Sequence, residues 1–158
     1  MSSLTVEQKA TNDDTWRHIH RVRELLGLCI VELLNRGGNH DQSKLESPEV
    51  EGFAEYTEKL AACTYGSDEY NGYREALKPM LDHHYARNRH HPEHFKEGIN
   101  EMNLIDILEM LMDWKASSER HHNGNIRKSI EINGNRFQMS PQLVRVLENT
   151  VDYFDFQW

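Results

Sequence analysis

Cysteine is nearly absent: Cys29 and Cys63 are the only two among 158 residues. A disulfide framework is therefore not what organises this chain. Cys29 lies in a helical apolar pattern and reads as a buried thiol, which points to a reducing, cytoplasmic setting. Long apolar runs are missing too, with none approaching the roughly 18 residues of a membrane span. The polar opening MSSLTVEQK is unlike a signal peptide. Positive charge is in the minority, 18 Lys and Arg against 26 Asp and Glu, for a formal net charge of −8. Binding to extended nucleic acid or an anionic membrane is carried by Lys and Arg, so neither partner is expected. A local basic pocket remains compatible with that balance. No glycine-rich phosphate loop, internal repeat or nucleophilic Ser or Cys arrangement is present. The length suits one domain, 1–158, with 1–11 polar and disordered and 121–158 a C-terminal extension ending in a helix.

What the chain does have is histidine, ten of them. They fall mostly in clusters, and His is the commonest metal-ligating side chain. The pair His40-Asp41 offers one cation a neutral nitrogen and an anionic oxygen. Adjacent residues point apart, so both can serve one ion only where the backbone is irregular. Gly37, Gly38 and Asn39 are expected to supply that irregularity. Lys44 follows within one turn, placed for a phosphate.

Along the chain the patterns are helical. Asp13 or Asp14 can cap a helix to about Asn35, ended by Gly37 and Gly38. At about 100° per residue, His18 falls with Val22, Leu25, Leu26, Cys29 and Leu33 on the inner face, while His20 faces water. His18 is then either a core histidine bonded to a carbonyl or a ligand. Ser47-Pro48 opens a second helix to about Ala62 with the stripe Phe53, Tyr56, Leu60. Thr64 to Ser67 reads as a loop. A helical stretch over 68–88 should break near Pro79. Pro92 makes His91 extended, so His90 and His91 sit on a turn from which imidazoles can reach back to a helix-borne His84.

Asn103 can cap a further helix to about Arg120. It is apolar except for Asp106, Glu109 and Asp113, a stripe that suits either solvent or a polar cavity holding Asp113 as ligand with Glu109 beside it. Asn133-Gly134 suggests a small hairpin near 130–137. Ser140-Pro141 begins a last helix carrying Leu143, Val146, Leu147, Val151 and Phe154. The aromatic tail from Tyr153 to Trp158 reads as core packing or a homodimer contact.

Taken in order, His18-x-x-Arg21-Val22, His40-Asp41-x-x-Lys44, His84, His90/His91 and Asp113 resemble the HD-domain superfamily of all-α metal-dependent phosphohydrolases. Ser43 stands where that superfamily commonly has glycine. The set His40-Asp41-x-Ser43-Lys44, His84-x3-Asn88-x-His90-His91 and Glu109-Met110-x-Asp113-Trp114 is similar, more closely, to an uncharacterised bacterial and phage HD-like family. The resemblance spans 18 to about 116. It implies a compact all-α helical bundle in which His18, His40, Asp41 and Asp113 hold one divalent metal. His84 and one of His90 or His91 would serve a second, with Asp41 able to bridge. A nitrogen and oxygen ligand set without thiolate suits Mn, Fe, Co, Ni or Zn, and Mg where few imidazoles bind.

The implied activity is hydrolysis of a nucleotide or other small phosphoester by a metal-activated water. Asp41, Lys44 and Glu109 would be catalytic, with Lys44, Arg87, Asn88 and Arg89 on the substrate and Glu109 a candidate base. Two other readings use the same fold: a di-iron oxygenase, or an inactive HD-like binding module.

Overall fold

The computed structural model describes residues 4–62, 67–120 and 124–156. It is all-α: α1 (Val6–Asn39), α2 (Glu49–Ala62), α3 (Asp68–Arg87), α4 (Leu104–Glu119), α5 (Ile126–Arg136) and α6 (Pro141–Tyr153), with short 3-10 turns at Gln42–Leu45, Pro92–His94 and Gly98–Glu101. No strand occurs among the described residues, and none of their helices is long and apolar enough to cross a membrane. Backbone contacts divide the chain into two units, Met1–Gly38 and Asn39–Trp158.

The first unit is the body of α1. It starts at Val6, so residues expected to be disordered are helical, and Gly37 and Gly38 continue the helix instead of ending it. Glycine is only weakly unfavourable in a helix, about 1 kcal/mol against alanine, so two glycines do not by themselves stop one. No residue of α1 is buried. His18, expected on an inner face, is exposed, and so is Cys29, expected as a buried thiol.

The second unit has its apolar core between α4, α5 and α6. Met110, Leu111, Ile126, Ile130, Leu147 and Val151 are its most buried members, and Phe156 packs against them. Burying a side chain of that size contributes roughly 1.5–3 kcal/mol. The hairpin expected near 130–137 is instead α5. Asn125 caps it by accepting from the Arg127 and Lys128 N–H groups at 2.9 and 3.2 Å. Ile126 and Ile130 lie one turn apart and face the core. Gly134 belongs inside this helix because α6 comes close: a Cβ there would meet Val144 Cγ2 at 3.3 Å.

Helix α3 runs unbroken through Pro79, which was expected to interrupt it. The missing N–H removes one helical bond, yet α2 packs along α3 to either side of that point. Tyr56 meets Tyr73 at 6.0 Å between ring centroids, and Gly52 lies directly against the Met80 side chain. The loop expected over Thr64 to Ser67 falls outside the described residues, apart from Ser67. Helices α4 and α6 begin at their expected caps, Asn103 and Ser140.

Candidate metal centre

The site begins at the end of α1, where His40 forms a turn and Asp41 adopts φ 56, ψ 15 in the left-handed region. Asp is among the few residues besides glycine that visit this region routinely. The irregularity expected of Gly37 and Gly38 is therefore carried by Asp41 itself. It turns the chain so that His40 and Asp41 face one point. His40 Nε2 lies 3.7 Å from Asp41 Oδ2 and 3.6 Å from Asp113 Oδ1.

The second set of candidate ligands comes from the end of α3 and the turn behind it. His84 and His90 are 2% and 1% exposed. Their Nε2 atoms approach Asp41 Oδ1 to 3.3 and 3.4 Å. His91, extended before Pro92 as expected, brings its Nε2 to 2.9 Å from His84 Nε2. His90 and His91, between which the sequence left the choice open, both line the hollow. The turn is held in place from outside: Arg89 donates to both oxygens of Asp106 at 3.1 and 3.0 Å. Asp106, 0% exposed, is itself paired with Asn103 in a capping box at the start of α4. That ties the histidine turn to the helix bearing Glu109 and Asp113.

Three groups of potential ligands result among the described residues: Asp41, His84, His90 and His91; His40, Asp41 and Asp113; and His40, His90 and Glu109. Asp41 is common to the first two. These residues all belong to the second unit, whereas His18 lies on α1 in the first.

Two atoms in this hollow are buried without a hydrogen bond, Asp41 Oδ1 and His90 Nε2. Unsatisfied buried polar atoms are rare and costly in native proteins. Two that face each other amid further nitrogen and oxygen donors are the geometry a cation would complete. The donors fit a divalent ion with borderline or hard preference, with no thiolate among them.

Electrostatics inside the hollow are strongly shifted. Asp113, and then Glu109, raise His40 from its ordinary 6.5 to about 10. Burial works against charge on Asp41, but contacts with His84 and Lys44 prevail and hold it well below the carboxylate range. Asp113 is likewise lowered: burial opposes its charge, and His40 and His90 outweigh burial. Burial, reinforced by His90 and His84, pushes His91 down to about 3.

Glu109 lies behind these imidazoles. Its Oε1 is 2.9 Å from His40 Nδ1 and 3.2 Å from His90 Nδ1. A carboxylate behind two imidazoles orients the rings and sets their tautomers; of the two roles expected of Glu109, support of a neighbouring ligand or base, this position matches the first. The stripe on α4 thus faces a polar cavity and not solvent.

The residues expected to touch substrate separate here. Lys44 is at the site, its Nζ 2.6 Å from Asp41 Oδ2. Asn88 is buried and donates to Ser43 Oγ and to the His84 carbonyl, both at 2.8 Å, so its amide is already engaged inside. Arg89 is committed to Asp106 and stacks over Phe95. Arg87 is exposed at the end of α3. One residue was missed outright. Glu49, 0% exposed, takes hydrogen bonds from His83 and His84. At the start of α2 it looks like any acid favoured by a helix N-terminus.

Against known families, residues 7–153 match the model described as Family of unknown function (DUF5662). The chain belongs to this family. The DUF5662 match runs from α1 to α6, so it takes in every residue of the hollow and also the C-terminal helices expected to be an extension. No curated protein and no solved structure matches the chain.

Proposed function

We propose that the protein is a metal-dependent phosphohydrolase acting on a nucleotide or other small phosphoester. The observation that carries this reading is the pair of unsatisfied buried atoms, Asp41 Oδ1 and His90 Nε2, at the centre of converging imidazoles and carboxylates. His40, Asp41 and Asp113 would hold one ion, and His84, His90 and His91 a second, shared through Asp41. A bound divalent ion would supply Lewis acidity and a water acidic enough to act as nucleophile near neutral pH.

The protein's own residues do the rest. Glu109 holds the rings of His40 and His90 from behind. Lys44, a partly exposed cation on the rim, can move from Asp41 to a phosphoryl oxygen and neutralise developing charge. The net charge of −8 disfavours a polyanion more than a small, metal-shielded phosphoester.

A panel of phosphoesters with Mn²⁺ tests the proposal, with His40→Ala and Asp41→Ala beside the parent. Hydrolysis should be lost in both variants; a rate untouched by either overturns it. Four imidazoles and two carboxylates sharing Asp41 also suit a di-iron oxygenase. That reading predicts bound iron whose absorption spectrum changes on exposure to oxygen, whereas hydrolysis needs no redox change. An inactive binding module fits less well, because three groups of potential ligands converge on the hollow.

A further inference from the structure

The hollow has a rear wall that no motif marks. Glu49 Oε2 accepts from His84 Nδ1 at 2.8 Å and from Ser43 Oγ at 3.0 Å, and its Oε1 accepts from His83 Nδ1 at 2.7 Å. The carboxylate is fully buried, with these three donors around it. These contacts assign the proton on His84. Asn88 Nδ2 lies 3.0 Å from His84 Nδ1, but its two hydrogens go to Ser43 Oγ and the His84 carbonyl. Nδ1 therefore carries hydrogen and donates to Glu49; in the neutral ring, Nε2, which lies toward Asp41 and His91, is then the unprotonated nitrogen.

We infer that Glu49 is a positioning residue: by holding the Nδ1–H tautomer of His84, it keeps His84 Nε2 available as a metal ligand. Ser43 and Asn88 complete the device. The Ser43 hydroxyl donates to Glu49 and accepts from Asn88, joining the His-Asp turn, α2 and the residue that follows α3 through one oxygen. A glycine at position 43 would provide neither bond, which gives a physical reason for serine there. Phe53 closes one side, its ring edge-on to His84 with centroids 6.1 Å apart, so the imidazole has little freedom to turn over. The inference rests on the metal-binding reading of the hollow and adds to it the group that commits His84 to coordination.

The test uses the full chain as parent, Glu49→Gln, Ser43→Ala, His83→Ala and His84→Ala, each checked for helicity and melting. Two quantities are read: Mn²⁺ affinity and stoichiometry by calorimetry, and the His84 tautomer in the metal-free chain from long-range ¹H–¹⁵N spectra. Glutamine is isosteric but offers one acceptor oxygen and turns an N–H₂ toward donors that glutamate accepts. Glu49→Gln should shift His84 toward the Nε2–H tautomer and weaken one class of site about 10–100-fold, the range for losing such a partner. The class using His40, Asp41 and Asp113 should be retained.

Ser43→Ala and His83→Ala should each move both readouts the same way by less, since each removes one donor to Glu49. Should Glu49→Gln fail to fold, Ser43→Ala carries the test. Parental affinity and an unchanged tautomer in the folded variants, with an ion lost in His84→Ala, would overturn the role of Glu49 and leave the metal reading standing. No Mn²⁺ bound by the parent, or equal binding by His84→Ala, would overturn the metal reading and this inference with it.

Discussion

Asp41→Asn separates the folding role of the His-Asp turn from its proposed ligand role. Asn tolerates the left-handed backbone about as well as Asp, so φ 56 adds no strain in the variant. In chelator, the change removes the carboxylate charge beside His84, His40 and Lys44, the shortest of these contacts being the ion pair with Lys44. That lysine is 40% exposed along its side chain, so water screens the pair and its loss costs about 1 kcal/mol or less. With metal the expectation differs. An ion at 100 times its dissociation constant stabilises the parent by about 2.7 kcal/mol. In a domain of this size about 1 kcal/mol moves the melting temperature by roughly 2–4 °C. The parent should therefore melt about 5–11 °C higher with Mn²⁺ than with chelator, and most of that rise should vanish in Asp41→Asn. Asp41→Ala loses the rise as well and should melt lower even in chelator, since alanine in the left-handed region costs about 1–2 kcal/mol. Scanning calorimetry of the three chains, with and without metal, reads these differences. The same metal-dependent rise in Asp41→Asn as in the parent would refute the reasoning, because the residue common to two ligand groups would then contribute nothing to ion binding.

Arg89→Ala should destabilise by about 2 kcal/mol, below the 3–5 kcal/mol of a fully buried broken pair because Arg89 is partly exposed and the Asn103 N–H still serves Asp106. Denaturant unfolding checks this, and unchanged stability with a raised KM would instead make Arg89 a phosphate contact. Glu109→Gln should weaken metal binding about 10–100-fold and recover turnover at saturating metal. A kcat loss at full metal occupancy would restore Glu109 to the role of base. In chelator, stability should peak near pH 6.5. His40, raised to about 10, contributes stability fully present below its unfolded 6.5 and lost as pH climbs to about 10. His91, pushed down to about 3, stays neutral while the unfolded chain takes up a proton below 6.5, so stability also falls on the acid side. Melting temperatures across pH 4–10 check both limbs, and a flat profile above pH 7 would refute the His40 limb.

The residues that could be found in the sequence are those whose local chemistry is also their structural role. Pro92 makes His91 extended whatever surrounds it, and Asn103 and Ser140 cap helices with their own side chains. The failures share a different cause. Asn133-Gly134 has the composition of a tight hairpin turn, but Gly134 answers to the approach of Val144 across helices, which no local window contains. Pro79 and Gly37-Gly38 carry modest helix penalties, and whether a helix tolerates them depends on its packing and length. The same distinction divides the candidate site. Histidines stand out because they are rare and clustered here, and the first guess at their function needs only their order.

Carboxylates are common on this acidic chain, so the ones that orient those histidines have no contrast against the rest. Asp106, Glu109 and Asp113 share one helical stripe and yet do three things: one pins the histidine turn, one holds two rings from behind, and one faces the hollow. Spacing assigned them to a common face without separating these tasks. Glu49 shows the limit most clearly. It is 35 residues from His84, it occupies the most ordinary position for an acid, and its task is visible only once α2 lies against α3. The candidate metal centre is thus advertised by its histidines but shaped by residues placed where their helices cross, and variants at Glu49 and Glu109 probe that second layer.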